Sequence, residues 1–147
     1  MTYIVSACLL GTACRYDGEK KGCAEIIELG KKHTLIPFCP EDPLFGTPRP
    51  RINIVEAGKG LRVLRESDGS DVTDMIRDYT LSWMQKHPEA DKVILKSKSP
   101  SCGLGTTPVL NGAGELIGYG NGIAAQCFLD VGMKCYDEFS PASGRCG

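Results

Sequence analysis

Three short apolar runs recur along this chain, at residues 3–10, 33–38 and 92–96, with segments of helical period lying between them. A run apolar along its whole length suits a strand buried on both faces. Cys23, Ile26 and Ile27, with Gly30 just beyond, give the face and stop signal of a short helix between the first two runs. The resulting β-α-β order points to parallel strands joined by a helical crossover. Val72, Met75, Ile76, Tyr79 and Trp83 share one face of a second helix over residues 71–86, which Pro88 ends. The third run then completes another β-α-β step.

Between these units, residues 52–64 read as a hairpin turning at Ala57-Gly58-Lys59-Gly60, and residues 112–119 as a turn and short strand. Asn121 is placed to cap a third helix with Ala124, Cys127, Phe128 and Val131 as its buried stripe and Gly132 at its stop. A last strand is expected at 133–136. The expected fold is α/β, a single three-layer Rossmann-like domain with a mostly parallel sheet, spanning residues 1–147, with a flexible tail from about 140.

At net charge −1, the chain has no global basic field of the kind that favours non-specific DNA binding, which leaves only local basic patches to consider. The N-terminal apolar stretch lacks a preceding basic region, and no window has the roughly 18 apolar residues needed to cross a bilayer. A soluble, cytoplasmic protein is expected. The eight cysteines contain no C-x-x-C pair. A disulfide framework is not expected in a reducing compartment, so any metal must be gathered by the fold from distant segments.

Cys8, Cys39 and Cys102 each lie at or just after the carboxyl end of an expected strand, where ligands bind in open α/β sheets. Three thiolates on one rim suit an iron-sulfur cluster with one open iron, or a zinc ion with an open position. The plainer reading, cysteine as a small buried hydrophobe, fits Cys23 and Cys127 well. Glu41 stands two residues after Cys39, and Ser101 directly precedes Cys102. Beside a metal these two side chains suit proton transfer, whereas alone they read as turn chemistry. Arg15, Arg49, Arg51, Lys96 and Lys98 form either a positive collar for an anionic nucleotide or RNA, or ordinary solvated charge. Tyr16 and Phe45 either stack on a base or pack, and Gly120-Asn121-Gly122 offers a weak anion-binding signal at a helix start.

The segments SACLLGTACRYDG at 6–18, PFCPEDPLFGTPRPR at 37–51 and LKSKSPSCG at 95–103, with GYGNGIAAQCF at 118–128, resemble the signature segments of the thiouracil desulfidase family. The likeness covers nearly the whole chain. It implies a [4Fe-4S] cluster held by Cys8, Cys39 and Cys102, with Glu41 and Ser101 as the catalytic pair. Cys14, six residues past Cys8, is the other candidate for the first ligand. Two departures stand out: this chain has no room for the additional C-terminal domain of some members, and Asp42-Pro43-Leu44-Phe45 replaces a loop that is often glycine-rich.

The activity implied is conversion of a thiolated uracil (4-thiouracil, thiouridine or its nucleotide, or the base within tRNA) to uracil or uridine. Hydrogen sulfide would be released by hydrolysis without net redox change. Arg15, Tyr16, Phe45, Arg49 and Lys98 are the candidate substrate-binding residues, and no obligate protein partner is expected. The competing readings are an RNA-binding protein with a structural iron-sulfur or zinc site, and a metal-free ligand-binding domain.

Overall fold

The computed structural model describes residues 1–11, 23–56, 58 and 60–139. In chain order its elements are β1 (Thr2–Ser6), a 3-10 helix (Ala7–Leu10), α1 (Ala24–Leu29), β2 (Thr34–Phe38), α2 (Glu41–Phe45), β3 (Ile52–Glu56), β4 (Leu61–Arg65), α3 (Thr73–Gln85), β5 (Lys92–Leu95), β6 (Thr107–Leu110), β7 (Leu116–Gly120), α4 (Ile123–Asp130) and β8 (Lys134–Asp137). The α/β class and the parallel sheet are as expected. A first sheet runs β2-β1-β5-β8 with every neighbouring pair parallel. A second, mixed sheet runs β4-β3-β6-β7, parallel only between β3 and β6.

The first sheet is buried on both faces, as its apolar runs require. Ile4, Val93 and Leu95 turn to one side, where they join Phe128 of α4 together with Tyr79 and Trp83 of α3. Tyr3, Val5 and Ile94 turn to the other, against Leu9 of the 3-10 helix and Ile26 of α1. Complete burial of side chains such as Val5 and Ile94 contributes about 1.5–3 kcal/mol each. Among the described residues, the second sheet is covered on one side, where Ile54, Val63 and Val109 meet Val72 and Ile76.

Several expectations shift in detail. The first strand ends at Ser6, and the 3-10 helix carries Cys8 out of the sheet. α2 and β6 occupy segments that the sequence pattern leaves irregular. The face expected on α3 is divided between two clusters, and Met75 is exposed. Val131 is also exposed, because α4 has ended at Asp130, with Gly132 in the left-handed conformation just beyond. The tail from residue 140 and the tip residues Ala57 and Lys59 lie outside the described residues.

Candidate active site

Parallel pairing brings the carboxyl ends of β1, β2, β5 and β8 to one edge of the first sheet. Between that edge and strands β3 and β6 of the second sheet lies a cavity of about 500 Å³, and Cys8, Cys39 and Cys102 all line it. Cys8 is held in the 3-10 helix, where its carbonyl accepts the Gly11 N–H at 3.2 Å. Gly11 closes that turn with φ +88°, a conformation that favours glycine. Cys39 follows β2 directly, and its sulfur accepts the Asp42 N–H at 3.4 Å in the first turn of α2.

Cys102 is the most constrained of the three. The Ser99 hydroxyl accepts the N–H groups of Ser101 (3.2 Å) and Cys102 (3.0 Å), tying the S-P-S-C turn to itself. The first amides of α4 secure the same turn, since Ala124 and Ala125 donate to the Ser101 carbonyl at 2.8 and 3.2 Å. A Cβ at Gly122 would stand 2.4 Å from the Ser101 carbonyl carbon, so only glycine allows this approach. Burial pushes the Cys102 thiol well above the ordinary thiol range, and the nearby Cys39 and Glu41 push it further, while Ser6 opposes the rise by hydrogen bonding.

Glu41 and Ser101, sixty residues apart, meet on this rim. The wholly buried Ser101 donates its hydroxyl proton to Glu41 Oε2 at 2.9 Å. The other carboxylate oxygen faces Arg49 Nε at 3.4 Å. A carboxylate bonded to a buried hydroxyl beside three thiols has the parts needed to move a proton in a partly desolvated site.

The expected positive collar is only partly realised. Lys96 pairs with the buried Glu138 at 3.0 Å, and Glu138 also accepts the Ser97 N–H at 2.7 Å, which joins the end of β8 to the turn after β5. Lys98 is exposed on the cavity wall with φ +64°, and Arg51 lines the same cavity. Phe45 turns away to pack with the second-sheet cluster, under the Arg65 guanidinium at 5.2 Å, and does not line the cavity. Arg15, Tyr16 and Cys14 lie outside the described residues. The amides at the start of α4 donate to the carbonyls of residues 100, 101 and 103, which leaves the expected anion site there already filled by the protein's own backbone.

Among the described residues, no three His, Cys, Asp or Glu side chains converge closely enough to hold a single metal ion. Cys127 is buried, matching its expected packing role, and Cys135 is half-buried with its thiol pushed up to about 11 by burial. Cys23 is buried as expected but is disulfide-bonded, an exception to the expectation of reduced thiols. Sequence patterning did not single out Ser6, Ser99, Glu138 or the β3 and β6 wall, and it marked Gly122 for anion binding rather than for its approach to Ser101. The signal for Ser99 was present in its S-x-x-C spacing, whereas the others depend on tertiary approach.

The sequence pattern of the 2-thiouracil desulfurase family matches residues 3–139. The chain belongs to the 2-thiouracil desulfurase family. Among relatives of this chain, the uncharacterised protein YbbK of Bacillus subtilis (strain 168) is 34% identical over 147 residues, covering 92% of this chain and 94% of YbbK. Among solved structures, the [4Fe-4S]-dependent thiouracil desulfidase TudS superposes with a TM-score of 0.73 at 33% identity, covering 93% of this chain and 90% of TudS. No helix among the described residues is long and apolar enough to cross a membrane.

Proposed function

We propose that this protein, as a single desulfidase domain, hydrolyses the carbon-sulfur bond of a thiolated uracil and releases hydrogen sulfide, with a [4Fe-4S] cluster as cofactor. The observation that carries the reading is the 2.9 Å hydrogen bond from Ser101 to Glu41 on a cavity also lined by Cys8, Cys39 and Cys102. Family membership and the likeness to TudS support the reaction class. Three thiols spread around one cavity suit a cluster whose irons each take one thiolate better than they suit a mononuclear zinc site.

Cys8, Cys39 and Cys102 would hold the cluster. When bound, it supplies an iron without a protein thiolate, a Lewis acid for the substrate sulfur. Glu41 accepts a proton from water, and the hydroxide adds to the ring carbon that bears sulfur. Ser101 fixes the Glu41 oxygen that takes this proton and relays it toward the ring nitrogen; as the carbonyl forms and the carbon-sulfur bond breaks, both protons of the water pass to the departing sulfur. The β3 and β6 wall excludes bulk water from the opposite side. The overall balance is thiocarbonyl plus water giving carbonyl plus hydrogen sulfide, with no electron gained or lost.

Lys98 and Arg51 on the cavity wall suit a substrate carrying phosphate, so a thiolated uridine nucleotide, free or within tRNA, is the substrate class proposed. The test is sulfide release by anaerobically reconstituted protein offered 4-thiouracil, 4-thiouridine monophosphate and thiolated tRNA in parallel. Release from the nucleotide at the lowest KM is expected. No release from any of the three, with the cluster shown intact by its absorbance, would overturn the proposal.

A further inference from the structure

On sequence, Arg49 is either part of a positive collar that faces the substrate or an ordinary solvated charge. The structure buries it: only 4% of its side chain is exposed, beside 13% for Glu41. Its Nη1 donates to Thr47 Oγ1 at 2.8 Å and to the Gly46 carbonyl at 3.1 Å, and its Nε faces Glu41 Oε1 at 3.4 Å. Thr47 in turn donates its hydroxyl to Asp42. With Ser101 on Oε2, the Glu41 carboxylate is gripped at both oxygens, by a cation on one side and a hydroxyl on the other.

We infer that Arg49 is a positioning residue for Glu41 and not a ligand for substrate phosphate; the inference rests on the reading of Glu41 as the proton acceptor. Glu41 opens a helix of only five residues, which has little rigidity of its own. A carboxylate on a flexible stem there needs an outside anchor to keep one orientation toward Ser101. The planar guanidinium provides it, because one face of the fork is pinned by Thr47 and Gly46 while Nε remains directed at the carboxylate. Arg49 lines the cavity beside Glu41, but low exposure strengthens the charge attraction between the two, and its Nε and Nη1 are already directed at Glu41, Thr47 and Gly46.

The test compares Arg49→Gln, Arg49→Lys and Thr47→Val with the wild-type holoenzyme, by steady-state kinetics on 4-thiouracil and 4-thiouridine monophosphate, by iron content and by crystal structure. For Arg49→Gln, kcat should fall about 10²-fold on both substrates while both KM values stay within about twofold, since the loss is one of orientation. Arg49→Lys should recover part of that loss, and the Arg49→Gln crystal structure should show Glu41 away from Ser101. If Arg49→Gln does not fold, Thr47→Val, which loosens the guanidinium without removing its charge, should lower kcat about threefold with the same split.

A raised KM for the monophosphate alone, an unchanged kcat, or a Glu41–Ser101 bond intact in the Arg49→Gln crystal would each overturn the inference. The two failures stay distinct. Absence of sulfide release by wild-type protein would sink the proposed reaction, while the crystal comparison would still decide whether Arg49 holds Glu41.

Discussion

The two sheets that flank the cavity are built on different principles. The first is parallel and buried on both faces, and its carboxyl edge presents Cys39 and the segments bearing Cys8, Ser101 and Cys102. The second is mixed and covered on one side, with β4 and β7 at its edges and Leu116, Ile117 and Tyr119 of β7 exposed. Reacting groups need fixed positions, and strand ends anchored in a double-sided core supply them. A wall that shapes a substrate pocket tolerates more change. Under the proposed function, the chemistry falls to the first sheet and the choice of substrate to the second sheet and the loop that faces it.

Substitution at the rim should produce the largest effects. Glu41→Ala is expected to keep its iron and lose about 10²–10⁴-fold in kcat, read by sulfide release beside iron analysis. Full activity in that variant would break the assignment of chemistry to the rim. Next, Gly122→Ala forces a Cβ against the Ser101 carbonyl, and a loss of about 1–3 kcal/mol in stability is expected, measurable by denaturant titration. A companion substitution, Gly118→Ala in β7, meets nothing within 4 Å and should be nearly neutral, which sharpens the contrast between the sheets.

Smaller still is the effect of charge at the cavity mouth. Lys98→Ala should raise KM for a phosphate-bearing substrate about two- to fivefold and leave the free base unaffected, since an exposed pairing contributes about 0.2–1 kcal/mol. Equal change for both substrates would remove Lys98 from phosphate recognition. The least effect is expected at the back of the second sheet, where the Arg62 side chain, hydrogen-bonded at 2.7 Å, holds Asp71 down to about 2 with help from Thr73. A depressed carboxylate contributes stability that is present above about pH 4 and lost as pH falls toward 2. After allowance for solvent screening this amounts to about 0.5 kcal/mol. Asp71→Asn should flatten that acid-side fall without changing turnover at neutral pH, as thermal melts across the window would show.

The two sheets also differ in how legible they were. The first was written in uninterrupted apolar runs, and Cys39, Glu41, Ser101 and Cys102 could be placed at its edge from spacing alone. β6 was not legible, because Thr107-Pro108-Val109-Leu110 is short and contains proline, and its partner β3 lies far away in sequence. α2 was hidden for a similar reason: five residues with an internal proline carry no helical period. Arg49 was visible as a charge but not as a buried one. Its partners Thr47 and Gly46 are local, yet only the tertiary fold decides whether a guanidinium turns inward or toward solvent.

The clasp between Glu138 and the turn after β5, together with the α4 amides on Ser101, sets an order of assembly. Synthesis has produced all three rim cysteines by residue 102, and the turn that carries the last of them, hydrogen-bonded within itself at Ser99, gains further anchors once residues 122–125 and then 138 have followed. The rim is thus finished by the chain's later residues. A cluster of the kind proposed would find its receptacle complete only after synthesis through Glu138, which would make cofactor insertion a step separate from translation.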